Sequence, residues 1–165
     1  MIFEAVISLL TFPGVVLHEF AHKFFCDLFG VRVRKVCYFR FGNPAGYVIH
    51  DRSDRFIHSF MIDVGPFIIN TIMALFSYSV ARYYAQSLLH WFVFAWFGVT
   101  FAYHSFPSKD DAKSLFKETN RHIKKLNLLA IIGYPAVGLI YLANSLNAIW
   151  FDLFYAGFLF YLTII

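Results

Sequence analysis

The chain has 165 residues, of which 59% are hydrophobic and 15% are charged, whereas about a quarter of the residues in an average soluble domain are charged. One core cannot bury so many apolar residues, because a domain of about 150 residues still exposes roughly a third of its unfolded surface. This composition excludes an ordinary soluble domain and predicts a membrane protein. Two cysteines, Cys26 and Cys37, are too few for a disulfide framework. The net charge is +4, and the kind of partner that this charge favours depends on where the basic residues lie along the chain.

Long apolar segments recur along the chain, and a membrane-spanning helix needs about 20 mostly apolar residues. We therefore predict an all-α membrane protein, a polytopic bundle of four to five transmembrane helices that forms one domain over residues 1–165. The fifth span is short, and an Asn-rich turn at residues 144–147 separates it from the fourth. The predicted spans cover residues 2–29, 57–81, 84–106, 126–143 and 148–165.

Twelve of the fourteen lysine and arginine residues lie in two loops, residues 31–56 and 107–125. Alternating spans put both loops on the same side of the bilayer, and the positive-inside rule makes that side cytoplasmic. We therefore expect a multi-pass protein with its N-terminus outside, and five spans put the C-terminus inside. Anionic lipid head groups suffice to explain the basic loops, so the expected partner is the lipid bilayer and not nucleic acid.

The first basic loop predicts two short β-strands around a turn. Residues 31–41 alternate apolar and basic side chains over much of their length, residues 42–46 have turn composition, and residues 47–49 are again apolar. Because an isolated hairpin is marginally stable in water, we expect this insertion to rest on the membrane surface or on neighbouring helices. Its edge can accept an extended peptide by strand addition, although a plain connector is the more frequent use of such a segment.

The residues that indicate chemistry lie at the cytoplasmic end of the first span. His18-Glu19-Phe20-Ala21-His22 is an H-E-x-x-H pattern, in which two imidazoles four residues apart share one helix face and can bind one zinc ion. Glu19 is placed to take a proton from water that zinc acidifies. The alternative is the amphipathic end of an interfacial helix, but ionisable clusters within a span are costly and by default suggest function. Pro13-Gly14 upstream predicts a helix kink.

A hydrolytic zinc site usually has three protein ligands and an open position for water. Cys26 continues the histidine face, but eight residues of helix separate it from His18 by about 12 Å, which excludes it as a ligand to the same ion. The third ligand must come from another segment on the cytoplasmic side. The candidates are Asp63, His104, Asp110 and Asp111. Residues 108–111 also resemble a helix capping box, which is a competing role for Asp111.

Together these segments resemble the site-2 protease family of intramembrane zinc metallopeptidases. The likeness covers about residues 10–116 and rests on the H-E-x-x-H pattern, the β-like insertion, Gly65-Pro66-Phe67-Ile68-Ile69-Asn70 in the second span, and an aspartate motif that closes the third span. Residues 106–112, Phe-Pro-Ser-Lys-Asp-Asp-Ala, are more similar to a branch of small membrane zincins than to the family's Asn-Pro-Asp-Gly form.

The resemblance implies one Zn²⁺ per chain, held by His18, His22 and Asp111, with Glu19 as the catalytic base. Asp110 and Asp63 remain alternatives for the third ligand. It also implies that Asn70, with Gly65 and Pro66, helps to hold substrate near the metal, although a packing hydrogen bond is the usual role of a buried asparagine between helices. The core would comprise about residues 10–116, with accessory C-terminal helices over about residues 126–165.

The function implied is an intramembrane zinc metalloprotease with its active site near the cytoplasmic face. It would cleave a membrane protein or peptide substrate within or next to a transmembrane segment. One alternative is a catalytically silent metal-binding scaffold or regulator with the same fold, and another is a small transporter with His and Asp along an ion path. Glu19 favours the peptidase because simple metal binding does not need it. Homo-oligomerisation is compatible with the sequence.

Overall fold

The computed structural model describes residues 2–145 and 149–164 as a mostly helical fold with one small β-hairpin. Its elements, in chain order, are α1 (Ile2–Leu10), α2 (Phe12–Leu28), β1 (Val33–Cys37), β2 (Tyr47–His50), α3 (Phe56–Tyr83), α4 (Leu88–Tyr103), α5 (Lys109–Ile123), α6 (Leu128–Ser145) and α7 (Ile149–Ile164). Helices therefore occupy the predicted apolar segments, and a hairpin occupies the predicted β-like insertion. The predicted turn at residues 144–147 lies partly outside the described residues.

The first predicted span is two helices, because the helix is interrupted at Thr11. Pro13 occupies the first turn of α2, where its missing amide hydrogen and fixed φ angle are tolerated. The interruption agrees with the kink predicted from Pro13-Gly14. The H-E-x-x-H residues lie in the middle turns of α2.

The hairpin is antiparallel and lies along α2. Val36 pairs with Val48 and Cys37 with Tyr47, and an irregularity in register lies between Val33 and Lys35. Beyond β1, the Phe39 ring lies 5.9 Å from the Phe12 ring at the start of α2, measured between centroids. The turn of the hairpin therefore reaches back along α2, past the level of its histidines.

Helices α3, α4 and α7 enclose the main apolar core, which includes Ala74, Tyr78, Ala102, Ala156 and Leu159. The Tyr78 hydroxyl, which this core buries completely, donates to the carbonyl of Ala156 at 3.2 Å. The three alanines, Ala74, Ala102 and Ala156, allow the helices to approach closely, as is common between helices in membranes.

Helix α5 is amphipathic, and α6 packs antiparallel against it. Ser108 and Asp111 form a capping box at the start of α5, in agreement with the sequence pattern. A turn in which Leu126 adopts a positive φ of 56° separates the two helices. Asn144 near the end of α6 donates to the Pro107 carbonyl at 3.0 Å, so α6 returns to the start of α5.

Helices α3 and α7 run parallel to each other, which differs from the alternation expected of five spans. Successive contacts advance together along both helices: Thr71 with Tyr155 at 2.7 Å, Tyr78 with Ala156 at 3.2 Å, and Arg82 with Thr163 at 3.0 Å. Five alternating spans would make the second and fifth spans antiparallel. The expectation that the C-terminus lies on the same side as the start of α3 is therefore wrong.

Helix α6 runs in the same direction as α7. Gly133 of α6 packs against Phe56 at the start of α3, whereas Asn144 lies beside the end of α4, where Phe106 contacts Phe67 with ring centroids 5.3 Å apart. The predicted fourth and fifth spans thus follow one another along the length of α3. They run in the same direction as each other and not in opposite directions.

Helix α3, with 28 residues, is long and apolar enough to cross a membrane. Helices α4, α6 and α7 are also apolar, but the apolar stretch of each is shorter. No other helix in the described ranges passes the same test of length and composition.

Candidate metal centre

Helix α2 brings His18 and His22 together on one buried face. Their side chains are four residues apart, which places them one above the other on the helix. Their Nε2 atoms lie 3.2 Å apart, and the two residues are only 7% and 5% exposed. The pair predicted from the H-E-x-x-H pattern therefore converges on one point inside the protein.

Each imidazole is oriented by a backbone carbonyl from a different helix. The Nδ1 atom of His18 lies 2.8 Å from the carbonyl oxygen of His104, and that of His22 lies 2.9 Å from the carbonyl oxygen of Ile62. Because a carbonyl only accepts, each Nδ1 carries the hydrogen in these bonds. In the neutral tautomer each Nε2 then presents a lone pair, which is the form that binds a metal.

Both carbonyls are free to accept for reasons found in the sequence. In an α-helix, the Ile62 carbonyl would accept from the amide of residue 66, but residue 66 is proline and has no amide hydrogen. His104 directly follows the last residue of α4, where carbonyls have no partner within the helix. The two breaks in regular hydrogen bonding supply the two acceptors that orient the histidines.

Asp111 completes the group from the first turn of α5. Its Oδ2 atom lies 3.3 Å from Nε2 of His18 and 3.4 Å from Nε2 of His22. The same oxygen accepts from the backbone amide of Ser108 at 2.8 Å, and the Asp111 amide donates to the Ser108 hydroxyl at 3.2 Å. The capping box and the predicted ligand position are therefore not alternatives, because the cap aims the carboxylate at the histidines.

The charge state of Asp111 suits a ligand. Burial by itself would raise the pKa of its carboxyl, but the charge and hydrogen bonds of His22 and His18 outweigh burial and hold the pKa well below its usual range. The group is thus a carboxylate at neutral pH.

The three ligand atoms have the spacing that one ion requires. Their separations of 3.2, 3.3 and 3.4 Å form a nearly equilateral triangle. Ligand atoms at about 2.0–2.2 Å from a tetrahedral ion lie roughly 3.3–3.6 Å apart. Two imidazole lone pairs and a carboxylate facing one another repel unless a cation lies between them, either a proton on an imidazole or a metal ion. His18, His22 and Asp111 can therefore hold a metal ion.

The other predicted ligands lie elsewhere. Asp110 is exposed, and its Oδ1 atom is 3.8 Å from the ammonium of Lys113. Asp63 is buried, but it lines a separate polar pocket and does not belong to the group around His22. The ring of His104 is hydrogen-bonded to the Thr11 hydroxyl at 2.7 Å.

Glu19 lies beside the metal ligands, beneath the turn of the hairpin. It is 9% exposed, and a Cβ atom added at Gly46 would lie 2.6 Å from its Cγ atom. The absence of a side chain at Gly46 therefore lets the hairpin pack directly on Glu19. Its carboxylate has no hydrogen-bond partner within residues 2–145 and 149–164. It borders a cavity that also reaches His18.

This cavity has a volume of about 540 Å³, within the range typical of ligand sites. Its walls come from α2, the hairpin turn, the connection between α4 and α5, and the facing parts of α6 and α7. Residues 117–165 contributed no chemistry to the sequence-based prediction, yet they supply Leu139, Ile140, Asn144 and Asp152 to the wall. Asp152 could have been found in the sequence, because it is the only charged residue of an apolar helix.

Gly65, Pro66 and Asn70 lie behind the ligands instead of lining the cavity. The Asn70 amide donates to the His104 carbonyl at 2.8 Å and contacts the Gly14 carbonyl at 3.4 Å, and its buried Oδ1 has no hydrogen-bond partner among the residues that the structure describes. Gly65 admits the ring of Phe25, since an added Cβ would lie 2.2 Å from that ring. The contact of these residues with substrate stays a prediction, and the contacts described here are with groups that neighbour or orient the ligands.

Comparison of the chain with models of known families, with curated proteins and with solved structures gives no match.

Proposed function

We propose that this protein is a membrane-embedded zinc endopeptidase of the site-2 protease type. The observation that carries the proposal is the triangle of His18, His22 and Asp111 ligand atoms, 3.2–3.4 Å apart, with Glu19 on the same helix at the edge of a cavity. The triangle by itself requires only metal binding and no catalysis. The Glu19 carboxylate, which has no hydrogen-bond partner among the described residues, and the adjoining cavity support hydrolysis.

Zinc is the metal that best suits two imidazoles and one carboxylate, because this set matches catalytic zinc sites with three protein ligands and an open fourth position. The chemistry that a zinc ion supplies at such a site is Lewis acidity, which lowers the pKa of water and polarises a peptide carbonyl. The oriented Nδ1 hydrogen bonds of His18 and His22 support both ligands in the required tautomer.

Glu19 is the proposed general base and acid. Its carboxylate accepts a proton from the attacking water, whose oxygen bonds to the peptide carbonyl carbon. The same proton is then transferred to the leaving amide nitrogen as the C–N bond breaks. The products are a carboxylic acid and an amine, and Glu19 returns to its ionised form. Contact with Gly46 supports this role, because the hairpin limits the positions open to Glu19.

Exposed apolar side chains support a membrane position for more than α3. Large apolar residues are more than half exposed on helices α4, α6 and α7, and such surfaces are rare on soluble monomers. Examples are Leu88, Leu89 and Phe92 on α4, Leu128, Ile132 and Leu139 on α6, and Phe154, Phe158 and Leu162 on α7. We propose four membrane crossings. Helices α1 and α2 together form the first, α3 the second, α4 the third, and α6 and α7 together the fourth.

The positive-inside rule orients these crossings with the basic segments 31–56 and 107–125 in the cytoplasm. The N-terminus is then outside, as is the end of α7, because α7 runs parallel to α3. Ile62, whose carbonyl orients His22, lies six residues from the start of α3. Six residues of helix correspond to about 9 Å, so the metal would lie near the cytoplasmic face.

The proposed substrate is a membrane protein or peptide in extended form. Peptide bonds within a helix are shielded by their own hydrogen bonds, so a transmembrane segment must unwind locally before it reacts. A cavity of about 540 Å³ accommodates a few side chains of an unwound segment.

The proposal is tested with the Glu19→Gln variant in purified protein. We expect this variant to retain one zinc ion per chain and to lose cleavage of membrane-segment peptides by at least about a hundredfold, the usual contribution of a positioned base. Equal cleavage by the variant and the wild type would contradict the role of Glu19. Zinc bound without cleavage by either protein would favour the silent scaffold, and metal flux into liposomes would favour a transporter.

A further inference from the structure

The cavity beside the metal ligands contains one carboxylate that the proposed hydrolysis does not use. Asp152 lines this cavity together with His18 and Glu19. It is the only charged residue in α7, a helix that is otherwise apolar. A charge in such a helix is costly unless it is paired, and it therefore indicates a function.

Asp152 has no ion pair or hydrogen bond with the described residues. Lys109 lines the same cavity, yet no ion pair joins it to Asp152. The carboxylate of Asp152 is thus available to a positive group that enters the cavity.

Apolar side chains line the same cavity as this carboxylate. The rings of Phe106 and Phe151 lie 5.0 Å apart between centroids, and Leu139 and Ile140 complete the wall from α6. A group that suits both features has an apolar stem and a cationic end. Lysine and arginine side chains have this form, because their methylene groups bury well while the charged end seeks a polar partner.

We propose that Asp152 forms a subsite for a lysine or arginine side chain of the substrate. This inference rests on the proposed peptidase function and specifies its substrate class. Membrane proteins concentrate lysine and arginine at the cytoplasmic ends of their spans. The metal lies near that face in the proposed orientation, so the substrate is a transmembrane segment with a basic residue close to the cleaved bond.

The test measures peptide binding to the zinc-loaded Glu19→Gln protein in detergent, so that the readout does not depend on cleavage. The probes are apolar peptides in which one lysine is moved along the sequence position by position, each compared with a peptide that has norleucine at that position. Norleucine keeps the stem and removes the charge. We expect one position at which the lysine peptide binds at least about tenfold more tightly, as a charge-assisted hydrogen bond allows.

Variants at Asp152 assign this preference to its carboxylate. Asp152→Asn should bind both peptides of the pair equally, Asp152→Glu should retain the preference for lysine, and Asp152→Lys should prefer a glutamate peptide. The matched control is Asp110→Asn, which removes an exposed carboxylate outside the cavity and should keep the full preference. Zinc content and the size-exclusion profile identify any variant that does not fold.

Two results would overturn the subsite. One is equal binding of the lysine and norleucine peptides at every position, including no binding of either. The other is a lysine preference that persists in Asp152→Asn. The result is different if the subsite exists but the proposed hydrolysis is wrong. The lysine preference then remains in the binding measurement, while the wild-type protein cleaves neither peptide.

Discussion

Pro66 of α3 and His22 of α2 are linked through a single backbone carbonyl. Because Pro66 has no amide hydrogen, the carbonyl of Ile62 lacks its usual helical donor, and Nδ1 of His22 donates to it at 2.9 Å. The proline thus has an identifiable effect on a proposed metal ligand without touching the metal. It turns a gap in one helix into the orienting contact for a side chain of another.

Replacing Pro66 with alanine should weaken zinc binding. The new amide hydrogen at residue 66 would compete with His22 for the Ile62 carbonyl, and loss of an orienting partner of a metal ligand typically costs about 10–100-fold in affinity. The affinity is measured by competition with a chelator of known strength. Pro135→Ala is the matched control, since Pro135 also lies inside a helix but in α6, away from the ligands, and zinc affinity should not change. Equal affinities of Pro66→Ala and the wild type would contradict the proposed link.

Much of this arrangement could be predicted from local sequence. The histidine pair is fixed by the helix period alone, and the hairpin follows from alternation around a turn rich in glycine. The contact of Asp111 with His18 joins residues 93 apart in the chain, and no local pattern determines such a contact. The resemblance to a family selected Asp111, and the capping box then explained how its carboxylate is aimed.

The direction of the last helices could not be predicted in the same way. Hydropathy identified both segments, but it contains no information on whether successive apolar helices reverse or continue. That depends on the turn between them and on contacts such as Arg82 with Thr163, which are long-range. The roles of Pro66 and Asn70 also required coordinates. A proline at residue 66 marks the Ile62 carbonyl as free, but the sequence does not tell which side chains donate to this carbonyl or to that of His104.

The two adjacent aspartates should differ sharply in their effect on zinc. Asp111→Asn replaces the ligand carboxylate with an amide and should reduce bound zinc well below one per chain after dialysis. Asp110→Asn changes an exposed side chain whose one ion pair within the described part of the chain is with Lys113, and it should retain the ion. Elemental analysis of both purified variants measures the difference. If Asp110→Asn loses zinc while Asp111→Asn keeps it, the assignment of the third ligand is wrong.

Asn70 should act on the metal through His18. Its amide and Nδ1 of His18 share the His104 carbonyl as acceptor, each at 2.8 Å. Asn70→Leu keeps a similar volume but removes the donor, which should cost about 1–3 kcal/mol of folding stability and reduce zinc affinity. We expect thermal unfolding and chelator competition to detect both effects.

Thr71→Val is the matched control for Asn70→Leu. Thr71 is the next residue on α3, and its hydroxyl bonds to the Tyr155 hydroxyl at 2.7 Å, away from the metal ligands. The change should lower stability by about 0.5–1.5 kcal/mol and leave zinc affinity intact. If both variants lowered stability and neither altered zinc affinity, Asn70 would be a packing residue only.

Gly46 should be required for cleavage but not for zinc binding. A Cβ atom at residue 46 would lie 2.6 Å from Cγ of Glu19, closer than two carbon atoms can approach, and 3.0 Å from its Oε1. Gly46→Ala should therefore displace either Glu19 or the hairpin turn and lower kcat, while His18, His22 and Asp111 keep their ion. Gly42→Ala is the control in the same turn, because its nearest neighbour beyond adjacent residues, the Arg40 side chain, would lie 3.8 Å away. Cleavage by Gly46→Ala at the rate of Gly42→Ala would show that the hairpin does not hold Glu19 in its working position.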